Sequence, residues 1–189
     1  MIVLRCLFII IDGLIKGVYK IQSFLNSDDL IFTLTGGPGT GKTYMLSYVL
    51  RLLNKQDIYF AAPSHAAKSV LDTNLKNANI SAKVLTVASL LGVKPVSFSE
   101  RVFHTTGVTK DFPIDLLIID ECSMISDEYY KLLIAFAEKK QIKIVAVGDI
   151  NQLPPVEQHN ESLFFNHVKH RLTADQRFGK NIKSLATVY

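Results

Sequence analysis

The chain has 189 residues, 48% of them hydrophobic and 20% charged, with a formal net charge of +4. That length and balance place the chain in the globular rather than the disordered range, support one packed domain, and leave no room for two full α/β domains. Two cysteines, Cys6 and Cys122, cannot build a disulfide framework or a four-cysteine zinc site, so a reducing, cytoplasmic compartment is expected.

Residues 2–15 (IVLRCLFIIIDGLI) are strongly apolar but interrupted by Arg5 and Asp12. A bilayer span needs about 20 apolar residues, so this run is expected to pack against the domain, with no membrane partner; an uncleaved anchor or a displaced start codon is the alternative. Leu30–Thr35 is a short β-branched strand running into glycines, and Thr43–Leu53 has helical spacing. Ile58–Ala62 is the next strand, stopped by Pro63, and His65–Asn77 the next helix. Residues 95–112 contain an alternating stretch, Val96–His104, that fits a small hairpin. Leu116–Asp120 and Ile142–Val147 are continuous apolar runs, as in strands covered on both faces. Between them, Asp127–Lys140 is a helix with acidic residues first and Lys139 and Lys140 last, which suits the helix dipole. Strands alternating with helices predict an α/β fold with a mainly parallel sheet, whose ligands sit beyond the C-terminal strand ends.

Three of those strand ends carry chemistry. Gly36-Gly37-Pro38-Gly39-Thr40-Gly41-Lys42-Thr43 fits G-x-x-x-x-G-K-[ST]. The glycines let several N–H groups face one concavity, and the following helix adds its positive end. Lys42 is placed to bridge the β- and γ-phosphates of ATP, and Thr43 to hold Mg²⁺. The second end delivers Asp120-Glu121: Asp120 is expected to complete the Mg²⁺ shell, and Glu121 to take a proton from an attacking water. Cys122 is expected to be a packing residue. The third end, VGDINQLPPV from Val147, supplies Gln152, an amide suited to sensing a γ-phosphate. A small-molecule kinase would share the first loop, but neither acceptor site nor lid is visible.

In order and spacing, GGPGTGKT, AAPSHAAK, LLIIDECSM and VGDINQLPPV resemble motifs I, Ia, II and III of superfamily 1 helicases, in particular the 5′→3′ branch of Dda-like and RecD-like enzymes. The resemblance implies a RecA-like P-loop NTPase domain with a small inserted hairpin, using ATP and Mg²⁺ to move on single-stranded and forked DNA. It implies residues 1–29 as an N-terminal segment and helix, 30–172 as the motor domain with its insert at about 95–112, and 173–189 as the start of a second RecA-like domain. It further implies DNA contacts from Pro63, Ser64 and His65, a weaker one from Thr86, and aromatic contacts at a duplex fork from Phe98 and His104 in the hairpin. Arg177 matches the arginine that reaches the γ-phosphate from the far side of the cleft, with Arg171 as the alternative. Two departures stand out. The place of the family's adenine-reading glutamine falls near Gly17, and the chain ends just after the Arg177 segment, so the second domain is expected on a continuation or a partner chain. A nucleic-acid-binding module that keeps an idle P-loop is the alternative reading.

Overall fold

A computed structural model describes residues 2–42, 45, 46, 50, 57–95, 103–105, 113–152, 155 and 160–173. The elements are α1 (Ile2–Leu25), β1 (Ile31–Gly36), β2 (Ile58–Ala62), α2 (His65–Asn77), β3 (Lys83–Thr86), α3 (Val87–Leu91), β4 (Val93–Pro95), β5 (Phe103–Thr105), β6 (Leu116–Ile119), α4 (Asp127–Lys140), β7 (Lys143–Gly148) and β8 (Val168–Leu172). Six strands form one sheet in the order β3-β2-β6-β7-β1-β8, and every neighbouring pair is parallel. This is the expected RecA-like α/β architecture.

Alternation along the strands feeds two cores. Phe32 and Leu34 of β1, Phe60 of β2, Ile118 of β6 and Val145 of β7 face α1, α2 and the helical residues Met45 and Leu46. Ile31, Tyr59, Leu117 and Ile144 face the other way, onto Leu90 of α3, Leu133 and Ala137 of α4, and Phe164. The central strands β1 and β6 are buried throughout; β6 accordingly runs apolar without interruption, while β1 buries Thr33 and Thr35 among its apolar residues.

The path of the chain locates the crevice. From β1 it passes over β7 and β6 to reach β2, and from β7 it crosses β1 to reach β8. The direction reverses at β1, so the crevice for a ligand opens at that strand's C-terminal end.

At the other end of the molecule, Lys143 at the start of β7 donates to the carbonyls of Phe24, Ser27 and Asp29. Its ammonium lies 4.8 Å from the Phe24 ring centroid. One lysine thus gathers carbonyls at and just beyond the C-terminus of α1. Among the described residues no helix is long and apolar enough to cross a membrane.

The inserted hairpin is present, with its first strand set earlier than the alternation indicates. β4 (Val93–Pro95) pairs antiparallel with β5 (Phe103–Thr105), with Lys94 opposite His104. Its strands therefore flank most of the Val96–His104 stretch expected to form it. The cause is Gly92: in the left-handed region (φ 63°) it ends α3 and sends the chain straight into β4. Phe98 lies outside the described residues, as do Thr43, Arg177 and all of 173–189 except Thr173.

Candidate nucleotide-binding site

The phosphate loop is built by exclusion of side chains. A Cβ on Gly36 would sit 2.7 Å from Thr40 Oγ1 and 2.8 Å from the Leu172 carbonyl, so β8 and the loop leave room for glycine alone. Gly39 (φ 78°) and Gly41 (φ 89°) take left-handed conformations that other residues adopt only with strain. Thr40, nearly buried, donates its hydroxyl to the Gly37 carbonyl at 2.8 Å. Lys42 donates to the carbonyls of Gly36 (2.7 Å) and Gly37 (3.0 Å). These bonds hold its ammonium against the loop, and buried Met45 and Leu46 anchor the turn that follows.

Two strands away, β6 brings up the acidic pair. The Asp120 N–H donates to the Ala61 carbonyl of β2 at 2.9 Å. Burial, reinforced by the Glu121 charge, pushes the Asp120 carboxyl up to about 6, with Lys42 pulling the other way. Glu121 has φ 52° and ψ 44°, a left-handed conformation uncommon for such a residue and typical of functional turns. It turns the backbone between the two carboxylates, so they do not follow the strand's own alternation. Cys122 then packs at the base of the site. A Cβ on Gly148 of β7 would meet its Sγ at 2.7 Å, and burial with the two neighbouring carboxylates pushes its thiol far up. It is a filler, as expected, rather than a nucleophile.

β7 delivers the third segment. Asp149 is 4% exposed, and its Oδ1 accepts from the Asn151 N–H at 3.0 Å. The Ile150 N–H points at Thr35 Oγ1 of β1 at 3.4 Å. Ser123, just past the acidic pair, donates to Gln152 Oε1 at 2.9 Å. That bond occupies the carbonyl end of the amide and leaves the NH₂ end as the donor for another partner. The exit through Leu153 and Pro154 lies outside the described residues.

The ends of β1, β7 and β8 enclose a cavity of about 520 Å³, lined by Thr35, Gly36, Gly37, Asp149, Asn151 and Arg171 among others. Thr35, Asp149 and Asn151 were not singled out from sequence. Their signal was positional, since each lies at or just past a strand end at the reversal point.

The candidate DNA residues sit on the same edge, at β2 and β3, where Ala62 pairs with Thr86. Ser64 caps α2 by accepting from the Ala67 N–H at 3.1 Å, beside half-buried Pro63 and exposed His65. Thr86 caps α3, accepting from the Ser89 N–H and donating to Ser89 Oγ, and is 4% exposed. His104 lies in β5, opposite Lys94.

The departure at Gly17 has a packing cause. A Cβ there would lie 2.3 Å from Met45 Sδ and 2.9 Å from His170. α1 crosses too close to the loop's helix and to β8 to carry a glutamine at that position.

Residues 19–184 match the AAA domain family. The chain belongs to that family, as a RecA-like domain of the superfamily 1 helicase type. It is 34% identical over 130 residues to the ATP-dependent RecD2 DNA helicase of Deinococcus radiodurans, covering 67% of this chain and 16% of that protein. To the ATP-dependent DNA helicase Pif1 of Campylobacter jejuni it is 28% identical over 179 residues, covering 87% and 38%. An uncharacterised protein of Acanthamoeba polyphaga mimivirus is 35% identical over 196 residues, covering 89% and 39%. The fold is that of Bacteroides sp Pif1 in complex with ADP-AlF4, with a TM-score of 0.58, 24% identity, and coverage of 84% of this chain and 42% of that one. The chain spans less than half the length of each of these relatives.

Proposed function

We propose that this helicase domain binds ATP with Mg²⁺, hydrolyses it, and forms one wall of a motor that moves along single-stranded DNA and opens duplex at a fork. One observation carries the reading. Three segments that follow β1, β6 and β7 of one sheet carry Lys42, the Asp120–Glu121 pair and Gln152 at its C-terminal edge, and the Lys42 charge acts on Asp120.

The donor set fits a magnesium ion. Among the described residues no group of three or more His, Cys, Asp or Glu could hold a metal. Asp120, with Thr43 and phosphate oxygens, matches the few protein oxygens Mg²⁺ takes when it keeps its waters. When bound, the ion neutralises charge on the phosphates and lowers the cost of the buried Asp120 carboxylate.

The chain's own residues do the rest. Backbone N–H groups of Gly39–Lys42 cradle the phosphates and Lys42 adds its charge. Glu121, held in a left-handed backbone next to Asp120, accepts the proton of the attacking water. The NH₂ end of Gln152 donates to the terminal phosphate and loses that partner on hydrolysis. Arg177 supplies a further positive charge from across the cleft. DNA follows the Pro63–His65 and Thr86 edge, where the α2 N-terminus offers N–H groups to its phosphates, with Phe98 and His104 presenting aromatic faces at the fork. The facing wall is a second RecA-like domain, on a continuation of the chain or on a partner, so turnover by this domain alone is weak or absent.

Titration of fluorescent ATP into the wild-type chain and Lys42→Ala tests the cradle. Binding is expected for the first and loss of about a hundredfold for the second; equal affinity would overturn the assignment. Single-stranded DNA binding that ignores both nucleotide and Glu121→Gln would instead indicate a binding module without motor action.

A further inference from the structure

Resting on that nucleotide reading, the geometry points to Arg171 as a second phosphate-binding cation of the cleft, contributed from the sheet of this same domain. β8 runs parallel to β1, with Arg171 opposite Thr35 and Leu172 opposite Gly36. The guanidinium is thus carried on the strand beside the one that enters the phosphate loop. His170 and Leu172 are buried toward α1 and the loop's helix. Alternation therefore directs Arg171, which is exposed, to the opposite face of the sheet, the face of Thr33 and Thr35.

Charge in the cavity is sparse. Among the described residues lining it, Arg171 is the sole cation and Asp149 the sole anion, and Asp149 is buried, with Oδ1 engaged by the Asn151 N–H. The Lys42 ammonium is bonded to the Gly36 and Gly37 carbonyls. Among the described residues the Arg171 guanidinium has no hydrogen-bond or ion-pair partner. A planar guanidinium with five donors, at a cavity walled by phosphate-loop glycines, matches the oxygens of a nucleoside triphosphate's phosphate chain. It differs in origin from Arg177, which acts from across the cleft. Arg171 is fixed to the sheet and acts before any second domain closes.

The test is equilibrium binding of fluorescent ATP to this chain, for wild type, Arg171→Ala, Arg171→Lys and Lys42→Ala, at low and moderate salt. Thermal melts verify that each variant is folded. Arg171→Ala is expected to weaken ATP binding about tenfold, in keeping with loss of a charge-assisted contact. Arg171→Lys is expected to recover part of that loss, and the difference from wild type to shrink as salt rises. Wild-type affinity in a folded Arg171→Ala, with Lys42→Ala defective, overturns the proposal and leaves the cradle standing. If Arg171→Ala fails to fold, Arg171→Lys decides: wild-type affinity together with an unchanged salt dependence overturns the proposal. Wild-type affinity in Lys42→Ala overturns the cradle reading, as does a wild-type chain that binds no ATP, and this proposal falls with it.

Discussion

At one edge of the sheet, β2 and β3 end in hydroxyls that close helices. Ser64 caps α2 and Thr86 caps α3, each meeting a backbone N–H three residues on, so the local hydrogen-bonding demand is met where the strand ends. At β1 and β6 the same edge is built at a cost. Gly36 leaves no space for a side chain, Asp120 is desolvated beside a like charge, and Glu121 holds a left-handed backbone. Strand ends that satisfy themselves serve the fold first. Those kept under strain are the ones a polyanion and a cation would relieve.

That contrast can be broken, beginning where the effect is largest. Glu121→Gln is expected to lower phosphate release about a hundredfold or more while ATP binding persists, measured on whichever form of the protein turns over. Undiminished release would remove Glu121 from the chemistry. Asp120→Asn should act in the opposite sense on stability. In the folded, metal-free chain Asp120 binds its proton more tightly (about 6) than its ordinary value of 3.8, so its contribution to stability falls as pH rises through the window between those values. The asparagine variant should therefore be more stable than wild type at pH 8, by on the order of 2–3 kcal/mol, with the gain gone near pH 4. Urea melts at both pH values in chelator would check this; a variant less stable at pH 8 would contradict a desolvated carboxylate.

Gly36→Ala forces the loop away from Leu172 and Thr40, and about 1–3 kcal/mol of stability should be lost together with ATP affinity. The caps are expected to be milder. Ser64→Ala and Thr86→Val each remove one cap and should cost about 1 kcal/mol in denaturant melts, with ATP affinity unchanged. Should either variant lose single-stranded DNA binding beyond what its stability explains, the hydroxyl serves the ligand as well as the helix.

The parts of this molecule legible in its sequence are those encoded locally. The G-x-x-x-x-G-K-[ST] run, the apolar β6 and β7, and α4 with charges at both ends each carry their reason within a dozen residues. Helices α2 and α4 and strand β2 are found within the residues expected of them. The remainder depends on partners far away in the chain. β8 (VKHRL) is an edge strand with alternating exposure and no apolar run to announce it. Gly17 is dictated by Met45 and His170, and Asp149 reads as an ordinary turn carboxylate until β1 and β8 close around it. The hairpin's first strand starts earlier than the alternation indicates, at Val93, because Gly92 stops the five-residue helix α3 just before it. Glu121's backbone has no sequence signal, since only a handful of L residues tolerate the left-handed region and glutamate is not among the favoured ones.

The smallest expected effect concerns how the strained ends are joined. Thr35 on β1 meets the Ile150 N–H, and two residues later Gln152 is held by Ser123, which follows the acidic pair on β6. Thr35→Val and Ser123→Ala should each change ATP affinity a little, and the double variant should depart from additivity by about 0.5 kcal/mol or more. Strict additivity would mean that the segments act alone. If they are coupled, the three prongs of the crevice are laced in series, and the edge behaves as one latch. The Gln152 segment is then the drawstring, threaded between the strand that grips phosphate and the strand that carries the acid pair, so a tug at either one is felt at the other.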